Sequence, residues 1–292
     1  MLTKNNKDFK KLLKIIREIP LFSILSDAQL INEIRIEPQV SYTNKTYKVS
    51  INKISYLLKT PRANTNTQIS RYHEHFNNQT AYEMGLAPQV IWHNYAGFSL
   101  IEYIESSRIL VASDLKKASI VEKLTESLIK LQHSNINFKG SLHKPTSIRR
   151  PLEIYYKRCS IQQQKKLQTV YKKALLALDI IENFDLSAVP AHIDLTLDNI
   201  LIENNRDEKL WLIDWEYSAM ASPLWDIAII CNSADFDDIQ GQNFMLSVIS
   251  NSGEKEIQLL SNYRQLLFGL SRCWHGAFNK DKEKPLNEST DE

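Results

Sequence analysis

Residues 192 to 214 have the types and the spacing that phosphoryl transfer requires. His192, Asp194 and Asn199 form the pattern H-x-D-x-x-x-x-N, and a further acid, Asp214, follows. A carboxylate can receive the attacking hydroxyl of an acceptor, and a second carboxylate with an amide oxygen can hold the Mg²⁺ that bridges the phosphate oxygens of ATP. We therefore predict that Asp194 is the catalytic base and that Asn199 and Asp214 bind Mg²⁺.

A β-hairpin is expected to bring these side chains together. Residues 199–202 and 210–213 contain short apolar runs, and the polar residues 203–208 between them are typical of a turn. Because a hairpin carries the chain out and back, Asn199 and Asp214 can lie side by side at its open end. A surface hairpin with ordinary cap and turn acids would explain each residue singly, but it explains the ordered set less well.

Composition indicates an ordinary globular protein. The 292 residues are 43% hydrophobic and 24% charged, the net charge is +2, and the basic residues are scattered. This balance does not favour a nucleic-acid binder, and no apolar run approaches a membrane span. The N-terminus lacks the apolar core of a signal peptide, and three widely spaced cysteines are typical of reduced thiols. We therefore predict a cytoplasmic protein, and its oligomeric state stays open.

The hydrophobic pattern predicts an α+β protein with two lobes. Residues 1–104 would form an N-terminal lobe, in which two leading helices precede a small antiparallel sheet with one inserted helix at 67–84. Residues 105–278 would form a mostly helical C-terminal lobe, and the charged tail 279–292 is expected to be disordered. The predicted strands are 40–44, 45–49, 54–59, 90–93 and 98–104, and the predicted later helices are 114–133, 151–159, 163–184, 223–231 and 254–278.

Taken together, these residues resemble the aminoglycoside-phosphotransferase and choline-kinase superfamily, and within it the bacterial choline/ethanolamine kinase branch. The resemblance runs from about residue 36 to 278, and its main motifs are the pattern ending at Asn199 and the segments 213–218 and 223–228. It implies a two-lobed, protein-kinase-like fold and an ATP- and Mg²⁺-dependent transfer to the hydroxyl of choline or ethanolamine.

The resemblance also implies a nucleotide site in the N-terminal half. Lys59 would contact the ATP phosphates, and a glutamate of the inserted helix would pair with Lys59. The seven glycines form neither G-x-G-x-x-G nor a Walker motif. The loop 43–47 instead resembles the loop that stands in place of a glycine-rich loop in this family. A hinge backbone would meet the adenine. The implied ATP-binding residues are Asn44, Lys59, Glu74, Glu102, Tyr103 and Ile104.

An acceptor pocket is implied as well. A quaternary ammonium cannot donate strong hydrogen bonds, so aromatic faces and a carboxylate must bind it. The implied substrate-binding residues are Asp194, Glu216, Tyr217 and Trp274. Relatives often carry a second tryptophan where this chain has Ala277. The resemblance further implies that His192 and Asp226 support the catalytic loop.

Other functions remain open at this stage. A thiamine or aminoglycoside phosphotransferase would use the same machinery, and Asp235, Asp237 and Asp238 could line an acidic cleft for a polycation. A catalytically inactive pseudokinase that serves as a binding module is less consistent with the intact set of Asp194, Asn199 and Asp214.

Overall fold

The computed structural model describes residues 2, 6–39, 44–61, 69–142, 146–184, 187–249 and 253–278. The backbone contacts divide the chain into two compact units. The first comprises Met1–Gly140 and His192–Ala219, and the second comprises Ser141–Ala191 and Met220–Glu292. The predicted lobe boundary at residue 104 falls inside the first unit and stays a prediction, and the predicted disorder of 279–292 lies outside the described residues.

Along the chain, the described elements change from a strand-rich beginning to a helix-rich end. The helices are α1 (Lys7–Arg17), α2 (Asp27–Glu33), α3 (Arg71–Glu83), α4 (Ala118–Gln132), α5 (Thr146–Arg158), α6 (Ile161–Ile181), α7 (Leu224–Ser233), α8 (Asp238–Val248) and α9 (Glu254–Phe278). The strands are β1 (Arg35–Gln39), β2 (Asn44–Ile51), β3 (Ile54–Pro61), β4 (Val90–His93), β5 (Ser99–Glu102), β6 (Ser107–Ile109), β7 (Val189–Ala191), β8 (Ile200–Glu203), β9 (Leu210–Leu212) and β10 (Ala219–Ala221).

The first unit contains a five-stranded antiparallel sheet in the order β1-β2-β3-β5-β4. Asn52 and Lys53 have φ values of 51° and 67°, which suits the tight turn between β2 and β3. The predicted strands that became β2 to β5 are confirmed. The strand predicted at 40–44 is largely outside the described residues, and the edge strand is formed by 35–39 instead.

The two leading helices cover this sheet. Phe9, Leu12 and Ile16 of α1 are buried in one apolar cluster with Val49 and Leu58 of the sheet. Helix α2 begins at a capping box, in which Ser26 and Gln29 each accept the other's backbone N–H. The apolar faces of α1 and α2 are therefore buried within the first unit.

A second sheet in the first unit carries the hairpin that the sequence predicts. Its strand order is β6-β8-β9, and β8 pairs antiparallel with β9 through Ile200↔Leu212 and Ile202↔Leu210.

Helix α4 starts four residues later than predicted, because Asp114 lies in a preceding 3-10 turn. Its carboxylate accepts the Val111 N–H at 3.0 Å and pairs with Arg108 at 2.6 Å.

The second unit is dominated by α6 and α9, which pack closely along their lengths. A Cβ atom on Gly269 of α9 would lie only 2.4 Å from the Cβ of Ala174 on α6, so the close approach requires glycine. Helix α8 was not predicted, although Asp237 and Gln240 form a capping box at its start. Among the described residues, no helix combines the length and apolarity that crossing a membrane requires.

Candidate active site

Asn199 holds the carboxylate that we predict to be the catalytic base. The Asn199 Nδ2 donates to the backbone carbonyl of Asp194 at 2.7 Å and to Asp194 Oδ2 at 3.1 Å. Asn199 ends a 3-10 turn and leads directly into β8. Since the NH₂ of this amide faces Asp194, its carbonyl oxygen faces away from Asp194 and is available to a cation.

The hairpin brings Asp214 back beside Asn199. The backbone N–H of Ile213 donates to the carbonyl of Asn199 at 2.9 Å. Asp214 has φ 67° and ψ 59°, a left-handed conformation that is unfavourable for most residues other than glycine. The Asn199–Ile213 hydrogen bond therefore fixes the backbone positions of the two predicted metal ligands relative to each other.

His192 contacts the residues on both sides of Asp214. Its Nε2 lies 2.9 Å from the carbonyl oxygen of Ile213, and its ring contacts Trp215 at a centroid distance of 4.5 Å. Burial lowers the pKa of His192 to about 4, so the imidazole is neutral near pH 7 and Nε2 donates its proton to that carbonyl. These contacts support the predicted structural role of His192.

Lys59 is the centre of a buried ion cluster. Its Nζ lies 2.6 Å from Asp214 Oδ1, 3.0 Å from Glu74 Oε1 and 3.4 Å from Glu216 Oε2. Burial alone would lower the pKa of Lys59, but Asp214, Glu74 and Glu216 outweigh it and raise that pKa well above its usual value. Lys59 is therefore a permanent cation, fixed next to one of the predicted metal ligands.

Glu74 links this cluster to helix α3, whose first residue is Arg71. Arg71 Nη1 lies 2.6 Å from Glu74 Oε2. Burial would raise the pKa of Glu74, but Lys59 and Arg71 together lower it. The pairing of Lys59 with Glu74 that the family resemblance implied is present in the structure.

Glu216 is buried in the same cluster. Its Oε2 accepts a hydrogen bond from Asn44 Nδ2 at 2.9 Å and lies 3.7 Å from Arg71 Nη1. Burial raises the pKa of Glu216, and neighbouring Asp214 and Glu74 raise it further. Asn44 therefore contacts Glu216 at the start of β2. The predicted contact of Asn44 with ATP and that of Glu216 with a substrate ammonium stay predictions.

The predicted hinge follows β5. The Glu102 N–H donates to the carbonyl of Gln89 at 2.9 Å, and the Tyr103 ring lies 4.1 Å below Lys48 Nζ. The carbonyl of Ile104 accepts from Ser107 Oγ at 2.7 Å. The hinge residues are thus held by neighbours in the first unit, and the contact of the hinge backbone with adenine stays a prediction.

The model of a phosphotransferase enzyme family matches residues 36–254. The chain belongs to this phosphotransferase family. The match runs from the second residue of β1 to the first residue of α9, so both units contribute to the family fold.

The chain is also similar to LicA proteins in sequence and in fold. Protein LicA of Haemophilus influenzae is 27% identical over 214 residues, which is 73% of this chain. The match covers 62% of one LicA sequence and 78% of that of strain Rd. The crystal structure of choline kinase LicA from Streptococcus pneumoniae has a TM-score of 0.73 at 22% identity, over 91% of this chain and 90% of that one.

A second solved structure, of LicA in complex with AMP, has a TM-score of 0.72 at 23% identity and covers 90% of this chain and 89% of that chain. At these identities the structural likeness shows the fold alone. The predicted α+β, protein-kinase-like fold is confirmed.

Sequence analysis missed two residues that organise the phosphotransferase site. Arg71 is buried and contacts both Glu74 and Glu216. Asn77 in the middle of α3 donates to the carbonyls of Lys139 at 3.0 Å and Ser218 at 2.9 Å. Asparagine is a poor helix former, so its place inside a helix was a signal for a structural hydrogen bond.

The remaining predicted residues lie at the end of the first unit and in the second unit. Tyr217, next to Glu216, is half-buried. In the second unit, Asp226 is completely buried in the first turn of α7. Trp274 is half-buried on α9, and its ring lies 5.5 Å from that of Phe278. The roles of Tyr217, Asp226 and Trp274 toward substrate and catalytic loop stay predictions.

Among the described residues, no group of three or more His, Cys, Asp and Glu side chains could hold a metal ion. This observation argues against a metal site built from protein ligands alone. One carboxylate and one amide oxygen, as at Asp214 and Asn199, are the small set of hard donors that Mg²⁺ uses when substrate phosphates and waters complete its shell.

Proposed function

We propose that this chain is an ATP- and Mg²⁺-dependent kinase that phosphorylates the hydroxyl of choline. The observation that carries the proposal is the arrangement around Asp214. Asn199 is joined to Asp194 by its amide and to the hairpin by its backbone, and Lys59 contacts Asp214 at 2.6 Å. A catalytic carboxylate, two metal donors and a phosphate-binding cation belong to one compact unit.

The side chains divide the work of phosphoryl transfer. Asp194 accepts the proton of the attacking hydroxyl. Asn199 positions Asp194 by donating one hydrogen bond to its backbone carbonyl and one to its carboxylate. Lys59 contacts the ATP phosphates, and Glu74 keeps Lys59 in place. The oxygens of Asn199 and Asp214 would hold Mg²⁺, which neutralises charge on the phosphate oxygens.

Choline is the acceptor that we favour. The LicA protein of Streptococcus pneumoniae is described as a choline kinase. Tyr217 is an aromatic residue of the first unit that can bind a quaternary ammonium through its positive charge. Ethanolamine is a natural second acceptor, because it carries the same hydroxyl and a smaller cation.

The acidic cleft of an aminoglycoside enzyme has less support. Asp237 caps α8 by accepting the Gln240 N–H at 2.8 Å, and Asp238 lies 3.4 Å from Arg264. Both carboxylates therefore already have partners inside the second unit.

The free and buried Cys159, Cys231 and Cys273 fit a reducing compartment, and we propose a cytoplasmic location.

A substrate screen tests the proposal. The purified chain would be incubated with ATP and with choline, ethanolamine, thiamine or aminoglycosides, with Mg²⁺ present or chelated. We expect Mg²⁺-dependent phosphocholine formation, and we expect Asp194→Asn to lose it by about 10²-fold or more. The matched control is Asp198→Asn, which alters an exposed acid of the same loop.

Three results would contradict the proposal. Transfer to thiamine or to an aminoglycoside in preference to choline would replace the acceptor. Equal activity of Asp194→Asn and Asp198→Asn would remove the assigned base. Nucleotide binding without transfer to any acceptor would indicate a pseudokinase.

A further inference from the structure

Helix α1 has an unusually basic surface. Its eleven residues, KDFKKLLKIIR, contain five cations and one acid, whereas the whole chain carries a net charge of only +2. All five cations are exposed. We call these residues the α1 basic face: Lys7, Lys10, Lys11, Lys14 and Arg17.

The spacing of these cations places them on one side of the helix. With 3.6 residues per turn, positions 7, 10, 11 and 14 lie along one stripe, roughly 15 Å long over the whole helix. The opposite side carries Phe9, Leu12 and Ile16, which are buried in the core of the first unit. The helix is therefore fixed by its apolar side, and its cations face outward.

Little inside the described structure neutralises this charge. The four lysines of the α1 basic face make no ion pair and no side-chain hydrogen bond with another described residue. Elsewhere on the chain a helical cation does find partners, since Arg149 of α5 pairs with Asp179 and Glu182. These four lysines therefore present their charge to an external anion.

Exposed aliphatic side chains follow the helix at once. Leu21 lies in the 3-10 turn after α1 and is 42% exposed, and Ile24 is 86% exposed. A lipid surface offers both anionic headgroups and an apolar layer, so cations next to exposed aliphatic residues fit it. Binding to single-stranded nucleic acid relies on aromatic residues for stacking, and the only aromatic residue of α1, Phe9, is buried.

We propose that the α1 basic face adsorbs this protein to an anionic lipid surface, with Ile24 and Leu21 contacting the apolar layer. Peripheral adsorption of this kind needs no membrane-spanning helix. This surface contains no residue of the candidate active site, so lipid binding can be tested separately from the proposed kinase activity.

Vesicle sedimentation tests the proposal on the full chain. The probes are vesicles of phosphatidylcholine alone and of phosphatidylcholine mixed with phosphatidylglycerol. The test variant replaces Lys7, Lys10, Lys11 and Lys14 with glutamine. Its matched control replaces Lys165, Lys166, Lys172 and Lys173, four exposed lysines of α6, and so removes the same charge from the other unit.

We expect the parent to bind only the mixed vesicles, and less so at high salt. The α1 variant should bind at least about tenfold more weakly, whereas the α6 variant should stay within about twofold of the parent. Ile24→Ser should weaken vesicle binding without changing binding to heparin, a polyanion with no apolar layer.

Equal losses in the α1 and α6 variants would overturn the proposal, because binding would then follow net charge alone. It would also be overturned if the parent did not sediment with mixed vesicles, or if heparin and duplex DNA bound the α1 basic face more tightly than the vesicles. Circular dichroism of each variant verifies that it is folded, and exposed lysines on helices make unfolding an unexpected outcome.

Discussion

Lys59 Nζ lies 2.6 Å from Asp214 Oδ1, so the cation assigned to the ATP phosphates contacts the carboxylate assigned to the metal. Glu74 and Glu216 complete a ring of three acids around this one lysine. The lysine thus has a structural task besides its proposed contact with the ATP phosphates. It compensates buried negative charge that would otherwise oppose folding.

Lys59→Met should therefore reduce stability as well as activity. Removing one partner of a buried ion cluster leaves uncompensated charge, and we expect a loss of about 3–5 kcal/mol in the free energy of unfolding. The double variant Lys59→Met/Glu216→Gln should recover part of this loss, because one buried carboxylate is gone. Urea unfolding of both single variants and the double variant measures the coupling, and simple additivity would contradict it.

Asn199 should control the Mg²⁺ requirement. Asn199→Ala removes the amide that orients Asp194 and one predicted metal donor. We expect a lower kcat and at least about a tenfold increase in the Mg²⁺ concentration for half-maximal activity. The control is Asn204→Ala, an exposed position in the turn of the same hairpin. An unchanged Mg²⁺ dependence in Asn199→Ala would show that the metal has other ligands.

His192 should make stability depend on pH. Burial lowers its pKa to about 4 from a usual value of 6.5, so the unfolded chain binds this proton at a higher pH than the folded chain does. The folded state should therefore lose stability as the pH falls from 6.5 to 4, by on the order of 3 kcal/mol from this residue. His192→Gln should flatten that slope, and His133→Gln, at an exposed position, should leave it intact.

Gly97 should be required for the position of Arg71. Its φ is +93°, and a Cβ there would lie 2.7 Å from Arg71 Nε. Gly97→Ala should cost about 1–3 kcal/mol and lower activity, because the guanidinium must move away from Glu74 and Glu216. Gly253→Ala is the control, since its Cβ would meet nothing closer than 3.6 Å. Equal stability of the two variants would refute the argument.

Tyr217 should affect choline more than ATP. If its ring binds the ammonium, Tyr217→Ala should raise the choline KM roughly 2- to 30-fold and leave the ATP KM nearly unchanged. Tyr217→Phe keeps the aromatic face and should behave like the parent. Steady-state kinetics with each substrate varied in turn would settle the assignment, and equal increases in both KM values would count against it.

The elements that the sequence predicts best have long or regular patterns. Strand β4 and helix α9 have the predicted bounds, because their apolar periodicity is uninterrupted. Strand β1 escaped prediction because it contains Pro38, which an edge strand tolerates since the missing N–H can face away from the sheet. Strand β6 has only three residues, too few for a periodic signal.

In the candidate active site, contacts between residues close in sequence were predictable, and contacts between distant residues were not. The spacing of Asp194, Asn199 and Asp214 within one hairpin is local, and sequence could therefore predict their approach. Glu216 meets Asn44 across 172 positions of sequence. Such a contact depends on how the two segments fold in three dimensions, and the hydrophobic periodicity of the sequence does not predict it.

The hydrogen bonds of Asn77 limit how the enzyme can be regulated. They fasten the middle of α3 to Lys139 and to Ser218, four residues beyond Asp214. A swing of α3 that withdrew Glu74 from Lys59 would have to break these buried bonds together. Regulation by moving α3 away from Lys59 would therefore be energetically costly in this chain.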